Sequence, residues 1–303
     1  MKIVVHGQQA FGRAVLERLL EGNENVVAVC TAPDREGRPV DPLKELALER
    51  GLPVHQPSSW KTPESLDLMR SFEADLCMMA YVLLFVPEAV INAPRLGSFQ
   101  YHPSLLPMHR GPSSINWPIS MGATETGLTI FWPDDGLDEG PILLQKTCSI
   151  GPDETLGDVY FKKLFPMGVD AMIESLELVK AGRAPRIGQN LDEGSYESWF
   201  GRDQARLDWS ESAARVYNVI RASNPQPGAW TMHGNAVLRI FDSERSGRIG
   251  RPGEVLGIDD DGITVAAADG AICIKRVRSD GGKIPASQYA RDSGLAVGEV
   301  LGG

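Results

Sequence analysis

A histidine in a proline-bounded turn and an aspartate in a later acidic turn are the residues whose types could do chemistry together. His102 lies in the run Tyr-His-Pro-Ser-Leu-Leu-Pro at residues 101–107, and Asp138 lies in Asp-Asp-Gly-Leu-Asp-Glu-Gly at residues 134–140. An imidazole can donate a hydrogen bond to a developing oxyanion, and a carboxylate can take a proton from an attacking amine or water. Together they suit direct acyl transfer through a tetrahedral intermediate.

This chemistry requires neither a covalent intermediate nor a metal. Ser104 is the only nucleophile candidate, and its Pro-Ser-Leu context is typical of a loop residue. The four cysteines form no Cys-x-x-Cys pair, so neither a zinc site nor a disulfide framework is indicated. The histidines form no metal-binding spacing: His6, His55, His102, His109 and His233. The sequence therefore predicts no metal.

Buried strands are expected to position both residues. Residues 96–100, Leu-Gly-Ser-Phe-Gln, are interpreted as a short buried strand, and Pro103 and Pro107 stop it, because proline lacks a backbone N–H and restricts its predecessor. In open α/β sheets, ligands bind beyond the carboxyl ends of the strands. We therefore expect His102 at one strand end and Asp138 at another to converge over one pocket.

The first thirty residues predict a β-α-β unit, the start of a parallel sheet. Residues 3–5 and 26–29 are apolar runs typical of buried strands. Between them, apolar residues recur at helical spacing: Phe11, Val15, Leu16, Leu19 and Leu20. Bulky residues separate Gly7 from Gly12, whereas a dinucleotide site needs a further glycine close to the pyrophosphate. NAD binding is therefore not expected.

An apolar loop at residues 81–85 follows a further buried strand, predicted at residues 75–80. Such a loop at a strand's carboxyl end suits a flat ring that takes hydrogen bonds from the backbone, although it could instead fold into the core. Other elements are expected from the pattern of apolar residues: helices at 42–50, 62–72, 114–121 and between 155 and 182, and strands at 126–132 and 142–150.

The pattern changes towards the C-terminus. Residues 183–205 carry little periodicity and resemble a linker. A helix at 213–222 is then followed by short apolar runs broken by turns, at 237–241, 253–256, 262–265 and 271–274. Such spacing predicts a small β-barrel or sandwich. We therefore expect a first domain over residues 1–183, a linker over 184–205 and a second domain over 206–303.

Composition excludes several classes of protein. The chain has 303 residues, a formal net charge of −10 and a pI of about 5.1, which argues against a surface that grips nucleic acid throughout. Residues 206–303 carry equal numbers of basic and acidic side chains. No stretch approaches the roughly 20 apolar residues of a membrane span, and no signal peptide is recognisable. A cytoplasmic protein without a membrane partner is expected; the pattern says nothing of oligomeric state.

Several segments together resemble the 10-formyltetrahydrofolate-dependent formyltransferase family. The segments are residues 101–107, His109-Arg110-Gly111, residues 135–140, Asp208-Trp209, residues 220–222 and residues 225–230. The family includes methionyl-tRNA formyltransferase, glycinamide ribonucleotide formyltransferase, sugar N-formyltransferases and the hydrolase domain of formyltetrahydrofolate dehydrogenase. The resemblance covers nearly the whole chain and is specific, because separated motifs keep their order and spacing.

The resemblance implies the fold and the roles of individual residues. It implies an α/β, Rossmann-like, mostly parallel sheet flanked by helices, with a smaller OB-like β-barrel domain at the C-terminus. His102 and Asp138 take the family's catalytic positions, and Gln100 stands where an Asn usually polarises the formyl oxygen. 10-Formyltetrahydrofolate is implied as the formyl donor. Its pterin ring is expected against two segments, at Tyr81, Leu83, Leu84, Phe85, Asp134, Asp135 and Gly136.

The acceptor is expected to be a small amine or water. A long basic insertion grips the acceptor stem in the tRNA enzymes, whereas residues 34–39 form only a short loop here. Residues 3–12, 81–87, 115–117 and 131–136 look closest to the dehydrogenase's hydrolase domain. tRNA is therefore not the expected partner, although methionyl-tRNA formylation stays an alternative. A non-catalytic folate-binding protein and an NAD-linked oxidoreductase are further alternatives.

Overall fold

The computed structural model describes residues 1–278 and 282–302, which divide into two compact units. Unit 1 comprises residues 1–111, 127–148 and 163–196. Unit 2 comprises residues 112–126, 149–162 and the described residues from 197 onward. Each unit contains a sheet, and His102 and Asp138 both lie in unit 1.

Seven strands form the sheet of unit 1: β1 (Lys2–Gly7), β2 (Asn25–Cys30), β3 (Val54–His55), β4 (Leu76–Ala80), β5 (Ser98–His102), β6 (Glu125–Phe131) and β7 (Ile142–Ser149). Their order is β3-β2-β1-β4-β5-β6-β7. The first five strands in this order pair in parallel, and β6 is antiparallel to β5. The mostly parallel sheet expected from the sequence is confirmed. The central strand β4 is buried along its whole length, as is typical of a strand covered on both faces.

Helices connect and flank these strands: α1 (Gln9–Glu21), α2 (Pro42–Glu49), α3 (Pro63–Ser71), α4 (Glu88–Ile91) and α7 (Phe165–Lys180). Local signals start two of them. Asp41 caps α2 through Leu43 N–H and Thr62 caps α3 through Ser65 N–H, and in each case proline follows at the first helical position. Helix α1 buries the apolar stripe that its sequence predicts and packs against α7.

The connection from β1 to α1 explains why glycine stands at position 7. A Cβ atom on Gly7 would lie 2.1 Å from the carbonyl oxygen of Ala80 on the neighbouring strand β4. Helix α1 already begins at Gln9, two residues after Gly7. Gly12 lies inside the helix, where a Cβ would meet the side chain of Leu43 at 2.9 Å. These glycines therefore serve close packing.

Unit 2 is built on a six-stranded antiparallel sheet: β8 (Ala229–His233), β9 (Ala236–Ser246), β10 (Val255–Asp259), β11 (Gly262–Ala266), β12 (Ala271–Arg278) and β13 (Lys283–Pro285). The order is β10-β11-β12-β9-β8, and β13 pairs with β12. Within the described residues this order is open, so closure into a barrel stays a prediction. Four helices also belong here wholly or largely: α5 (Asn116–Met121), α6 (Leu156–Val159), α8 (Ala213–Ala222) and α9 (Ala286–Ser293).

The core of unit 2 lies between α8 and the sheet. Ser212 caps α8 through Arg215 N–H, and the helix buries Val216 and Ile220 against strand residues such as Leu238 and Ile274. Burying such side chains contributes roughly 1.5–3 kcal/mol each relative to leaving them exposed. The helix predicted at residues 213–222 is confirmed residue for residue.

The structure corrects several predicted bounds. Strand β5 continues through His102, because the stop at Pro103 acts only after it. The long helix expected after residue 155 is divided into α6, a π-helix at Tyr160–Leu164 and α7. The strand expected at residues 253–256 lies at Val255–Asp259. Elements that the sequence analysis did not predict are β8, β13 and α9. The two strands are short, β13 having three residues, so their conformation depends on pairing with a neighbouring strand.

His6 on β1 is a buried, neutral histidine. Its side chain packs on Trp60 with ring centroids 4.7 Å apart, and its Nδ1 atom is buried without a hydrogen-bond partner in the described structure. Burial disfavours the charged ring and lowers the pKa of His6 to about 3 from its usual 6.5. Protonation of this ring therefore favours the unfolded chain.

We expect His6 to make folding stability depend on acid. Its folded pKa lies below its unfolded pKa, so its contribution is complete above pH 6.5 and is lost as the pH falls towards 3. The loss amounts to roughly 3 kcal/mol between pH 7 and pH 4. Urea unfolding across this range should show a shallower pH dependence for His6→Leu than for the native protein. Equal slopes for His6→Leu and the native protein would contradict the assignment.

Candidate functional site

His102 is the last residue of β5, and its ring is held between two acceptors. Its Nε2 atom lies 3.0 Å from the carbonyl oxygen of His109. A carbonyl can only accept, so Nε2 carries the proton and donates to it. The Nδ1 atom lies 3.6 Å from Oδ2 of Asp138, which is longer than a hydrogen bond. Nδ1 therefore faces the carboxylate across a gap, with only 6% of His102 exposed.

Asp138 lies on the turn between β6 and β7. Its Oδ2 accepts a hydrogen bond from Gly111 N–H at 2.9 Å, and its side chain is almost as buried as that of His102. The backbone of Asp138 is left-handed, with φ of 57°, a conformation that aspartate tolerates better than most residues. The turn closes tightly at Gly140, because a Cβ there would lie 1.8 Å from the carbonyl oxygen of Trp132.

The two motifs meet, although not for the reason that the sequence analysis gave. Strand β6 is antiparallel to β5, with His102 opposite Thr129 and Gln100 opposite Phe131. The carboxyl ends of antiparallel neighbours point in opposite directions, so the rule for parallel strands does not bring Asp138 to His102. The backbone of residues 134–140 and its bond from Gly111 do so instead.

Gln100 lies on the same face of β5 as His102, because alternate residues of a strand share a face. Its side chain is half-buried. Among the residues that the structure describes, no hydrogen bond is recorded for its amide. A partly buried amide without a protein partner is free to donate to a ligand.

The expected ring-binding segments adjoin each other. Large parts of the apolar side chains in the loop after β4 are exposed: Tyr81 41%, Leu83 57%, Leu84 37% and Phe85 52%. The alternative, a loop folded into the core, is therefore wrong for these four residues. Beyond the loop, Glu88 N–H donates to Oδ1 of Asp135 at 3.1 Å, which links the first segment to the acidic turn. Asp134 stabilises that turn by accepting from Gly136 N–H.

An ion pair at the site lay within the recognised motifs but was given no role by the sequence analysis. Arg110 Nη1 lies 2.6 Å from Oε1 of Glu139, the neighbour of Asp138. It joins the segment after β5 to the acidic turn, as the Gly111–Asp138 hydrogen bond does one residue further on. The opposite charges of Arg110 and Glu139, one in each motif, could have indicated this pair. Nothing in the sequence indicated that the backbone carbonyl of His109 accepts a hydrogen bond from the ring of His102.

A cavity of about 570 Å³ lies in unit 2, and none of these residues lines it. It is lined by Asp153, Thr155, Tyr217, Ile220, Arg221, Phe241, Asp242, Ser243, Glu244 and Arg245. The guanidinium of Arg221 donates to the backbone carbonyl oxygens of Gly151 and Glu154. The Tyr217 hydroxyl donates to Asp153, and burial raises the pKa of Tyr217 to about 12. The candidate reaction site is therefore the one around His102.

No group of three or more His, Cys, Asp or Glu side chains in residues 1–278 and 282–302 could hold a metal ion. Over the same ranges, no helix is both long enough and apolar enough to cross a membrane.

Comparison with known proteins finds relatives that are named for 10-formyltetrahydrofolate or for formyl transfer. A cytosolic 10-formyltetrahydrofolate dehydrogenase from Xenopus tropicalis is 39% identical over 313 residues, covering 98% of this chain and 35% of that protein. The chain thus spans about a third of the length of the dehydrogenases that it matches. A methionyl-tRNA formyltransferase from Trichlorobacter lovleyi is 35% identical over 306 residues, covering 99% of this chain and 96% of that protein.

Solved structures share the fold. HypX from Aquifex aeolicus in complex with tetrahydrofolic acid has a TM-score of 0.68 at 20% identity, covering 98% of this chain and 48% of that chain. WlaRD, a sugar 3N-formyl transferase, has a TM-score of 0.69 at 18% identity, covering 93% of this chain and 98% of that chain.

Family matches cover most of the chain. Residues 1–176 match the formyl transferase family, and residues 201–293 match the formyl transferase C-terminal domain. The resemblance inferred from the separated motifs is confirmed, and the chain belongs to the formyl transferase family.

Proposed function

We propose that this chain transfers the formyl group of 10-formyltetrahydrofolate to water or to a small amine. The observation that carries the proposal is the buried pair of His102 Nδ1 and Asp138 Oδ2, 3.6 Å apart, within the region that matches the family. Identity of 39% to a dehydrogenase named for this donor supports the choice of donor. The proposed compartment is the cytoplasm. The proposed catalytic domain covers residues 1–183 and, beyond a linker, residues 206–303 form the second domain.

The proposed donor site follows from the exposed apolar loop. Tyr81, Leu83, Leu84 and Phe85 offer apolar surface and backbone groups to the flat pterin ring. Asp134, Asp135 and Gly136 are proposed to contact the ring from the acidic turn, where Asp135 accepts a hydrogen bond from Glu88 N–H just beyond the loop. This arrangement would place the formyl carbon beside His102 and Asp138.

The proposed reaction needs no covalent enzyme intermediate. The attacking water or amine forms a bond to the formyl carbon and gives a proton to the Asp138 carboxylate. The carbonyl oxygen becomes an oxyanion that takes a hydrogen bond from the Gln100 amide. The proton passes to Nδ1 of His102, which then also stabilises the oxyanion. When the carbon–nitrogen bond breaks, this proton goes to the folate nitrogen, and tetrahydrofolate leaves.

One incubation tests the function. The purified chain is mixed with 10-formyltetrahydrofolate alone, and formate and tetrahydrofolate are measured. Equal amounts of both, without any amine, would establish hydrolysis. Tetrahydrofolate formed only after an amine is added would establish transfer. Binding of the donor without release of tetrahydrofolate in either case would instead support a non-catalytic folate-binding protein.

Methionyl-tRNA formylation is the second candidate, favoured by the match along nearly the full length of the Trichlorobacter lovleyi enzyme. The charge of this chain argues against it, because residues 206–303 carry as many acidic as basic side chains. Binding to a phosphate backbone requires clustered Lys and Arg side chains. Addition of charged initiator tRNA to the same incubation separates the candidates: formylated methionyl-tRNA would select this one.

We expect Gln100→Leu to lower kcat by about 100-fold, because one donor to the oxyanion is lost. The KM for 10-formyltetrahydrofolate should change little, since this hydrogen bond strengthens only as charge develops. Steady-state kinetics measure both values. The Gln100→Asn variant keeps the amide on a shorter arm and should retain more activity than Gln100→Leu. Equal activity of Gln100→Leu and the native protein would remove Gln100 from the mechanism.

A further inference from the structure

Gln189 binds the backbone of two residues of the acidic turn, Asp138 and Gly140. Its Nε2 atom donates to the carbonyl oxygen of Asp138 at 3.0 Å and to that of Gly140 at 2.7 Å. Carbonyl oxygens can only accept, so the amide nitrogen must face them. The Oε1 atom is buried and has no partner in the described structure. Both donors of this side chain are therefore committed to the turn that carries Asp138.

Ser195, six residues later, binds the other motif through its hydroxyl and its backbone. Its Oγ atom accepts from His109 N–H at 2.9 Å. Its own N–H donates to the carbonyl oxygen of Pro107 at 3.1 Å, and its carbonyl accepts from Arg110 N–H at 3.0 Å. His109 is the residue whose carbonyl orients the ring of His102. Ser195 therefore acts on His102 through a single intervening residue.

Backbone strain shows what these contacts do. His109 and Asp138 both have left-handed backbones, with φ of 56° and 57°. Histidine and aspartate adopt this region more often than most residues other than glycine, but the conformation still costs free energy, and surrounding contacts help to hold it. Ser195 holds the N–H of His109, and Gln189 holds the carbonyl of Asp138. Residues 189–195 thus supply a contact at each strained position.

We propose that residues 189–195 are a clamp for the reaction site, with Gln189 as a positioning residue for Asp138 and Ser195 as a positioning residue for His102. The inference rests on the proposed function and adds to it residues that touch neither donor nor acceptor. Release of Gln189 lets the turn relax from its left-handed conformation, and the carboxylate of Asp138 then leaves Gly111 and the ring of His102.

Gln189→Met tests the clamp, because methionine keeps the length of the side chain and removes both donors. Gln56→Met is the matched control: Gln56 also donates to a carbonyl, that of Ala32 at 2.8 Å, and to Asp34 at 3.1 Å in unit 1. Hydrogen exchange at Gly111 N–H, the donor to Asp138, is the first measurement. Exchange should become faster by on the order of tenfold in Gln189→Met and stay unchanged in Gln56→Met.

Kinetics are the second measurement. In Gln189→Met, kcat should fall by about 100-fold while the KM for 10-formyltetrahydrofolate stays near the native value. Ser195→Ala should speed exchange at His109 N–H and lower kcat, whereas Ser195→Thr keeps the hydroxyl and should restore both. This rescue separates positioning from a general loss of folding.

Unchanged exchange at Gly111 in Gln189→Met would overturn the clamp, whatever the activity. Faster exchange with native kcat would also overturn it, because Asp138 would then need no such support. If the native protein releases no tetrahydrofolate from 10-formyltetrahydrofolate, the proposed function fails instead. The exchange data would then still decide whether Gln189 holds the acidic turn.

Discussion

His102→Ala should lower kcat for formyl transfer by about 1,000-fold, because the variant loses both the proton carrier at Nδ1 and a donor to the oxyanion. In the proposed mechanism the reacting carbon lies beside His102, and the proposed donor-binding residues are at 81–85 and 134–136. Affinity for tetrahydrofolate should therefore stay near the native value. Release of tetrahydrofolate measures the first quantity, and calorimetric titration with tetrahydrofolate measures the second.

The control for this variant is His233→Ala in unit 2. The Nδ1 atom of His233 lies 2.9 Å from the Tyr289 hydroxyl, so its removal also costs a histidine contact, in the other unit. This control should keep native turnover. If His102→Ala turned over at the native rate while remaining folded, the role of the imidazole in the proposed mechanism would be wrong.

Asp138→Asn should lower kcat by about 1,000-fold as well, because a neutral amide cannot take the proton of the attacking water or amine. The substitution is chosen to preserve the turn. The amide oxygen can still accept from Gly111 N–H, and asparagine tolerates the left-handed backbone at this position. The melting temperature should consequently remain close to that of the native protein, so the loss of activity can be assigned to chemistry.

Asp170→Asn is the matched control, since it makes the same chemical change in an exposed ion pair with Arg18 in unit 1. Exposed ion pairs contribute only about 0–1 kcal/mol to stability, so both activity and folding should be unchanged. A loss of activity in Asp138→Asn no larger than in Asp170→Asn would show that the carboxylate takes no part in proton transfer.

The elements of unit 1 were accessible from the sequence because their signals are local. Buried strands such as β1 and β4 are continuous apolar runs, and α2 and α3 begin at a capping residue followed by proline. The strands of unit 2 were harder to place. β13 has three residues and pairs only with β12, so its conformation depends on a neighbour rather than on its own pattern.

Residue types and motif order alone pointed to His102 and Asp138, since an imidazole and a carboxylate are recognisable wherever they stand. Their meeting is a tertiary outcome. The antiparallel pairing of β5 and β6 removes the simple strand-end explanation. Gly111, Gln189 and Ser195 instead hold the segments around these residues through hydrogen bonds to or from the backbone. Such contacts depend on where the chain returns in space, and they leave no periodicity or spacing for the sequence to display.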